Sequence, residues 1–249
     1  MFIAAATALS ILLLGQARTE ETKASTAPSK MSAFAPADDL TWQYEKTVAD
    51  LERAVASAET YKDQPAERFV RDANSLSLVA IALAVHDQPN AVKPHAAATL
   101  AALKHLAAAK DYEGTKKAVN ELKGSAPVPS AGPVTWSKVV SLDELMTKYV
   151  PSTNTALGSD VRKLPKRAKQ VAAEAALLGV MAENAKLYSD DIATAETEKK
   201  WMAFCEAMRD AAAGVADKAR AGDKAGTAAA MEKLNHSCHD CHAVFNPSK

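Results

Sequence analysis

The chain closes on "LNHSCHDCHAVFNPSK", which holds two of its three cysteines, Cys238 and Cys241, with His242 directly after the second. Residues three and four apart on a helix share a face. On a helix, Cys238, Cys241 and His242 therefore offer two sulfurs and one imidazole to one side, while His239 and Asp240 point elsewhere. Three chemistries fit. The first is covalent haem: C-x-x-C-H is the c-type attachment pattern, in which each thiol adds across one vinyl group and the imidazole coordinates iron. The second is zinc, held by Cys238, Cys241, His242 and His236, but zinc favours two separated ligand pairs and no second Cys/His pair of suitable spacing is present. The third is a redox dithiol or disulfide, which normally begins a helix in a βαβ context, and no strand pattern is visible.

The elements that must position this cluster are helical. At 249 residues the chain has room for one large or two ordinary domains. It is 48% hydrophobic, much of it alanine, and only 5% aromatic, a composition that favours helices. Formal net charge is zero, which argues against nucleic acid, and the charges are dispersed as on a solvated helix exterior. Phe2 to Gly15 is an uncharged apolar run, shorter than the roughly 20 residues a bilayer span needs. Gly15 and Ala17 then give a small-x-small pattern before Arg18. The expectation is a signal peptide over 1–17, a periplasmic or otherwise exported protein, and no membrane span in the mature form. A Ser/Thr/Ala/Pro-rich flexible linker is expected over 18–37.

The stretch "GSAPVPSAGPV" holds three prolines and two glycines, too many for any helix, and reads as a linker over 125–135. Domains are expected on either side, 38–124 and 136–249, each with four helical stripes. The first block has Leu40–Val55, Phe69–Leu83, Leu100–Leu106 and Thr115–Leu122. The second has Leu142–Tyr149, then Val171, Ala175, Leu178 and Met181, then Trp201, Phe204, Cys205, Met208 and Val215. Its last stripe runs Thr227, Met231, Leu234, Cys238, Cys241, Phe245, which aims both thiols at the core. "DYEGTKKAVNELKGS" and "DKAGTAAAMEKLNHS" coincide at Asp, Gly, Thr, Ala, Leu and Ser, the mark of an internal duplication. After the shared serine one copy continues "APVP" and the other "CHDC". The fold expected is all-α: two tandem up-down four-helix bundles, the C-terminal one carrying the chemistry.

A helical bundle ending in "CHDCHAVF" resembles the cytochrome c-prime family and its low-spin relatives. The resemblance covers 136–249 and extends, as a haem-free copy, over 38–124. It implies an exported four-helix-bundle protein with one covalent haem c in its last helix, held by Cys238, Cys241 and His242. Phe245 matches the family pattern, while Asn246 stands where a basic residue is common. In the Met-ligated relatives a methionine early in the first helix of the bundle reaches the iron. The stretch "SLDELMTKYVPSTNTAL" puts Met146 in that role, with Leu142 and Tyr149 on the same face and Pro151 kinking the helix. A thioether there gives a six-coordinate electron carrier with redox partner proteins and no catalysis of its own. An open site gives a five-coordinate gas-binding protein, and a helical zinc-binding adaptor is the remaining alternative. A homodimer is compatible with either haem reading.

The other candidates have ordinary readings. Cys205 packs as a small apolar residue. Met181, Met208 and Met231 read as core. His236 and His239 face solvent, and His86, His95 and His105 lack ligand spacing. The basic stretch "VRKLPKRAK" reads as a solvated helix start. No G-x-S-x-G turn supports a hydrolase.

Overall fold

The structure is a computed structural model, and it describes residues 28, 30–65, 67–124, 133–191 and 194–246. Among these residues every regular element is a helix and none is a strand. The expected signal peptide over 1–17, most of the 125–135 linker and the last three residues lie outside them. Among the described residues no helix is long and apolar enough to cross a membrane.

The first half contains α1 (Ala37–Ala54), α2 (Ala58–Lys62), α3 (Arg68–Val85), α4 (Ala96–Ala108) and α5 (Tyr112–Lys123). The second begins with α6 (Leu142–Glu144), which passes through a π-turn (Leu145–Tyr149) into α7 (Val150–Val161). It continues with α8 (Ala168–Ala185), α9 (Ala195–Arg220) and α10 (Lys224–Phe245). The stripes read from periodicity fall within helices, except that Val55 lies one residue past the end of α1. Helix α2 does not belong to them: it is a short turn built on a capping box, in which Ser57 and Thr60 satisfy each other's backbone N–H.

Packing follows two closed circuits. Helix α1 meets α3, α3 meets α4, α4 meets α5, and α5 returns to α1. Likewise α7 meets α8, α8 meets α9, α9 meets α10, and α10 returns to α7. Helix α8 belongs to the second circuit and also packs against α1 and α3 of the first. Periodicity put one face of α8 in the core, yet every residue from Val171 to Ala185 is buried. A helix that is largely apolar all round is a buried helix. Here α1, α3, α7 and α9 all pack against it, and its alanines let those helices approach.

The presumed linker ahead of α1 is not all linker. Met31, Phe34 and Ala35 are buried, with a 3-10 turn over Met31–Ala33. Phe34 lies against Gly179 of α8, where any Cβ would come within 3.2 Å of its ring, and under the guanidinium of Arg209. A Ser/Ala/Pro-rich context hid two large buried apolar residues, of which Phe34 meets α8 and α9. Asp39 and Arg220 form an ion pair joining α1 to α9.

The two matching stretches share a local geometry. Asp111 and Asp223 each cap a helix, accepting from the N–H of Gly114 and Gly226 at 2.8 Å. Thr115 and Thr227 donate back to the Asp111 and Asp223 carbonyls at 2.6 and 2.7 Å, and both threonines are buried. At Gly226 a Cβ would fall on the Asp223 carboxylate, whereas at Gly114 it would come within 3.1 Å of Asp111 Oδ1.

One buried acid makes the fold pH-sensitive. Glu174 of α8 is 7% exposed, and only one of its oxygens is bonded, by Gln170 at 2.9 Å. Desolvation raises its pKa from 4.5 to about 7, helped by the Asp160 charge and opposed by Gln170, Lys46 and Arg167. The folded chain thus holds a proton that the unfolded chain has released. Stability from this group is complete below pH 4.5 and is lost as pH rises through about 7, a total on the order of 3 kcal/mol. Glu174→Gln is expected to flatten that slope and to raise the melting temperature above pH 7, measured by thermal unfolding from pH 4 to 9.

Candidate functional site

One face of α10 is buried along its middle turns and opens toward its C-terminal end. Thr227, Met231 and Leu234 are buried, whereas Cys238, Cys241 and Phe245 are half-buried and His242 is exposed. The core therefore opens where the cluster sits. The opening is a small, largely apolar cleft of about 170 Å³.

Four helical walls form it. Helix α10 brings Ser237, Cys238, Cys241 and His242. Helix α8 contributes Ala182 and Ala185, whose methyl side chains leave the space free. Helix α9 supplies Trp201, Phe204, Cys205 and Met208. The Trp201 indole donates to the Ala185 carbonyl at 3.0 Å, satisfying one of the carbonyls left open at the end of α8. Phe245 meets Trp201 and Phe204 edge to face at 5.4 and 6.1 Å, which ties the end of α10 to α9.

The fourth wall comes from the segment around Pro151. Proline has no N–H, and its ring clashes with the carbonyl four residues back in an α-helix. The chain absorbs this with the π-turn over Leu145–Tyr149, in which the Val150 N–H bonds to the Leu145 carbonyl five residues back. Met146, Val150, Pro151 and Asn154 then face the cleft. Tyr149 does not, contrary to the expectation from α-helical spacing. It is buried, and its hydroxyl accepts from Asn74 of α3 at 2.7 Å. Leu142 is half-buried outside the cleft. The wider turn places residue i+4 over residue i and swings i+3 aside.

The cleft thus gathers Met146 with Cys238, Cys241 and His242. It also takes in two residues that the sequence reading assigned to ordinary core, Cys205 and Met208. The sequence placed them on the stripe of Trp201 and Phe204, and only the packing of α9 against α10 turns that stripe toward the thiols. Met181 and Met231 are core as expected. His236 and His239 are exposed. His86 is buried and committed at both nitrogens, to the Ala35 carbonyl and the Gln88 N–H, each at 2.9 Å. His105 pairs with Glu121.

Burial decides the state of the thiols. It raises Cys205 to about 12, with the neighbouring Cys241 charge adding to it. It raises Cys241 to about 11, with Cys238 adding. Cys238 is also raised by burial, against an opposing hydrogen bond from Ser237. Reactive dithiols show the opposite shift, so the free cleft is a poor redox dithiol. Zinc needs thiolates and a full ligand set. Among the described residues no three His, Cys, Asp or Glu side chains come together as a metal-ion site. Haem asks for something else: two thiols and an imidazole on one wall, an apolar cavity beside them, and a soft ligand on another wall. The residues present fit that group.

Alkylation of the unliganded chain at pH 8 is expected to proceed about two orders of magnitude more slowly at Cys241 than at an ordinary cysteine, and most slowly at Cys205. Fast labelling at neutral pH, located by peptide mapping, would instead indicate an activated dithiol. Comparison with family models, with curated proteins and with solved structures finds no match to this chain.

Proposed function

We propose that this chain is an exported c-type cytochrome of two tandem up-down four-helix bundles, and that the second bundle carries one covalent haem for single-electron transfer. The observation that carries this reading is the cleft itself: Met146 lies on the α7 side of the same apolar cavity whose α10 wall holds Cys238, Cys241 and His242. Those residues are nearly a hundred positions apart in sequence.

Cys238 and Cys241 would each add an S–H across one vinyl group, the sulfur bonding to one carbon and the hydrogen to the other, with no oxidant consumed. His242 would supply an imidazole nitrogen and Met146 a thioether sulfur to the iron. Haem bound there provides a one-electron couple at iron, raised in potential by a thioether ligand. Trp201, Phe204, Val150 and the α8 alanines keep water from the cavity and lower the local dielectric. The exposed His242 edge leaves a short route to a redox partner protein. Under this reading the first bundle is a haem-free copy that braces α8 through α1 and α3.

The visible spectrum of the denatured protein in alkaline pyridine is expected to report one covalent haem per chain after production in a host that attaches haem. Cys238→Ala with Cys241→Ala should abolish the covalent link. Met146→Ala should keep the link, lower the midpoint potential by on the order of 100 mV within the roughly 0.8 V that axial ligands span, and let carbon monoxide shift the reduced spectrum. A carbon monoxide shift in the unaltered protein would favour the gas-binding reading, and colourless protein would sink the haem assignment.

A further inference from the structure

The antiparallel helices α9 and α10 meet in a register that is legible layer by layer. Trp201 lies against Phe245, with ring centroids 5.4 Å apart. From there toward the turn at Gly222, each step of four or three residues in α9 is matched by the same step back in α10. The layer after Trp201 and Phe245 is Cys205 with Cys241, and the next is Met208 with Cys238. The same rhythm continues to Ala219 with Thr227. Every α9 member of this series is buried, and every α10 member is buried or half-buried, as along the seam of two helices in continuous contact.

This register gives the buried Cys205 a partner. Cys205 and Cys241 line the same cleft, and both are free thiols. Packed helices have axes about 8–10 Å apart, with Cα atoms about 2.3 Å from each axis. Layer partners therefore come to roughly 4–7 Å between Cα atoms, the span that a disulfide bridges. Cys238 suits Cys241 less well. Residues three apart on a helix hold their Cβ atoms about 5–6 Å apart, whereas a disulfide needs about 3.5–4.5 Å. Helix α10 runs unbroken through both cysteines, so joining them distorts a turn. Joining Cys241 to Cys205 asks for side-chain rotation alone.

We propose that Cys205 is the disulfide partner of Cys241 in the chain before haem is attached, a bond across α9 and α10 that withdraws one attachment thiol until it is reduced. The bond stands by itself, and its consequence for attachment rests on the haem reading above. The oxidant is a small-molecule or protein disulfide. Cys241, the more exposed of the two, attacks it as thiolate, forms a mixed disulfide and releases one thiol. Cys205 then attacks the Cys241 sulfur as thiolate and releases the second. Two cysteine S–H bonds and the oxidant's S–S bond are exchanged for one protein S–S bond and two S–H bonds, so the protein gives up two electrons. Burial makes the exchange slow, and it shields the bond from reductant in the same way.

The full chain, produced without haem attachment and freed of reductant, is held folded with oxidised glutathione at mildly alkaline pH. It is expected to lose the mass of two hydrogen atoms. Peptide mapping with fragmentation should join Cys205 to Cys241 and leave Cys238 open to alkylation. Cys205→Ala, its fold verified by circular dichroism, should lose that link. A Cys238–Cys241 link in the unaltered chain, or glutathione retained on Cys241, overturns the inference. Ferrous haem added to the reduced chain should give covalent colour that the oxidised chain lacks. Equal attachment to both forms overturns the withdrawal of Cys241. Attachment to neither form overturns the haem reading, while the mapped link alone then decides for or against the Cys205–Cys241 bond.

Discussion

Burying α8 on every side favours small and apolar residues along most of its length, and the rest of the molecule is arranged around that constraint. Helices of both circuits pack against it. Val171 to Ala185 are all out of solvent, and Gly179 admits the Phe34 ring. The same smallness has a second consequence at its C-terminal end. Ala182 and Ala185 do not fill the space that α7, α9 and α10 enclose, and the cleft is what remains. Larger residues there would close the cavity and press Trp201 and Met146 out of place.

The cleft in turn sets the chemistry of what lines it. An apolar wall removes water from three thiols, and desolvation pushes each pKa up. Thiols in that state neither exchange disulfides readily nor bind zinc well. They are compatible with a large, flat, apolar partner that is attached through uncharged thioether bonds. The π-turn serves the same end from the opposite wall. It is the local answer to Pro151, and it turns Met146 and Asn154 inward while sending Tyr149 to Asn74 in the other half.

The two matching stretches show how similar local rules lead to different outcomes. Asp111 and Asp223 cap their helices by the same bonds, through the same glycine and threonine. In the first copy α5 ends at Lys123 before a proline-rich stretch. In the second the helix runs 22 residues and reaches the cluster of Cys238, Cys241 and His242. The cap sets where each helix begins, and the residues after the shared serine set whether a site follows.

The helical stripes, the capping pattern and the shared face of Cys238, Cys241 and His242 were legible in the sequence, because each depends on residues within a turn or two of one another. The sequence also pointed to Met146, through a resemblance rather than through its spacing. The double-sided burial of α8, the core role of Met31 and Phe34, and the presence of Cys205 and Met208 in the cleft were not legible. Nor was the turning aside of Tyr149. Each of these depends on which faces of distant helices meet, and periodicity records only that a face is apolar. The sequence alone determined that the chain is helical and where its sulfur and imidazole groups align. Only the packing of α7, α8, α9 and α10 decided that they would face a common cavity, because closing it requires contacts between segments separated by many tens of residues.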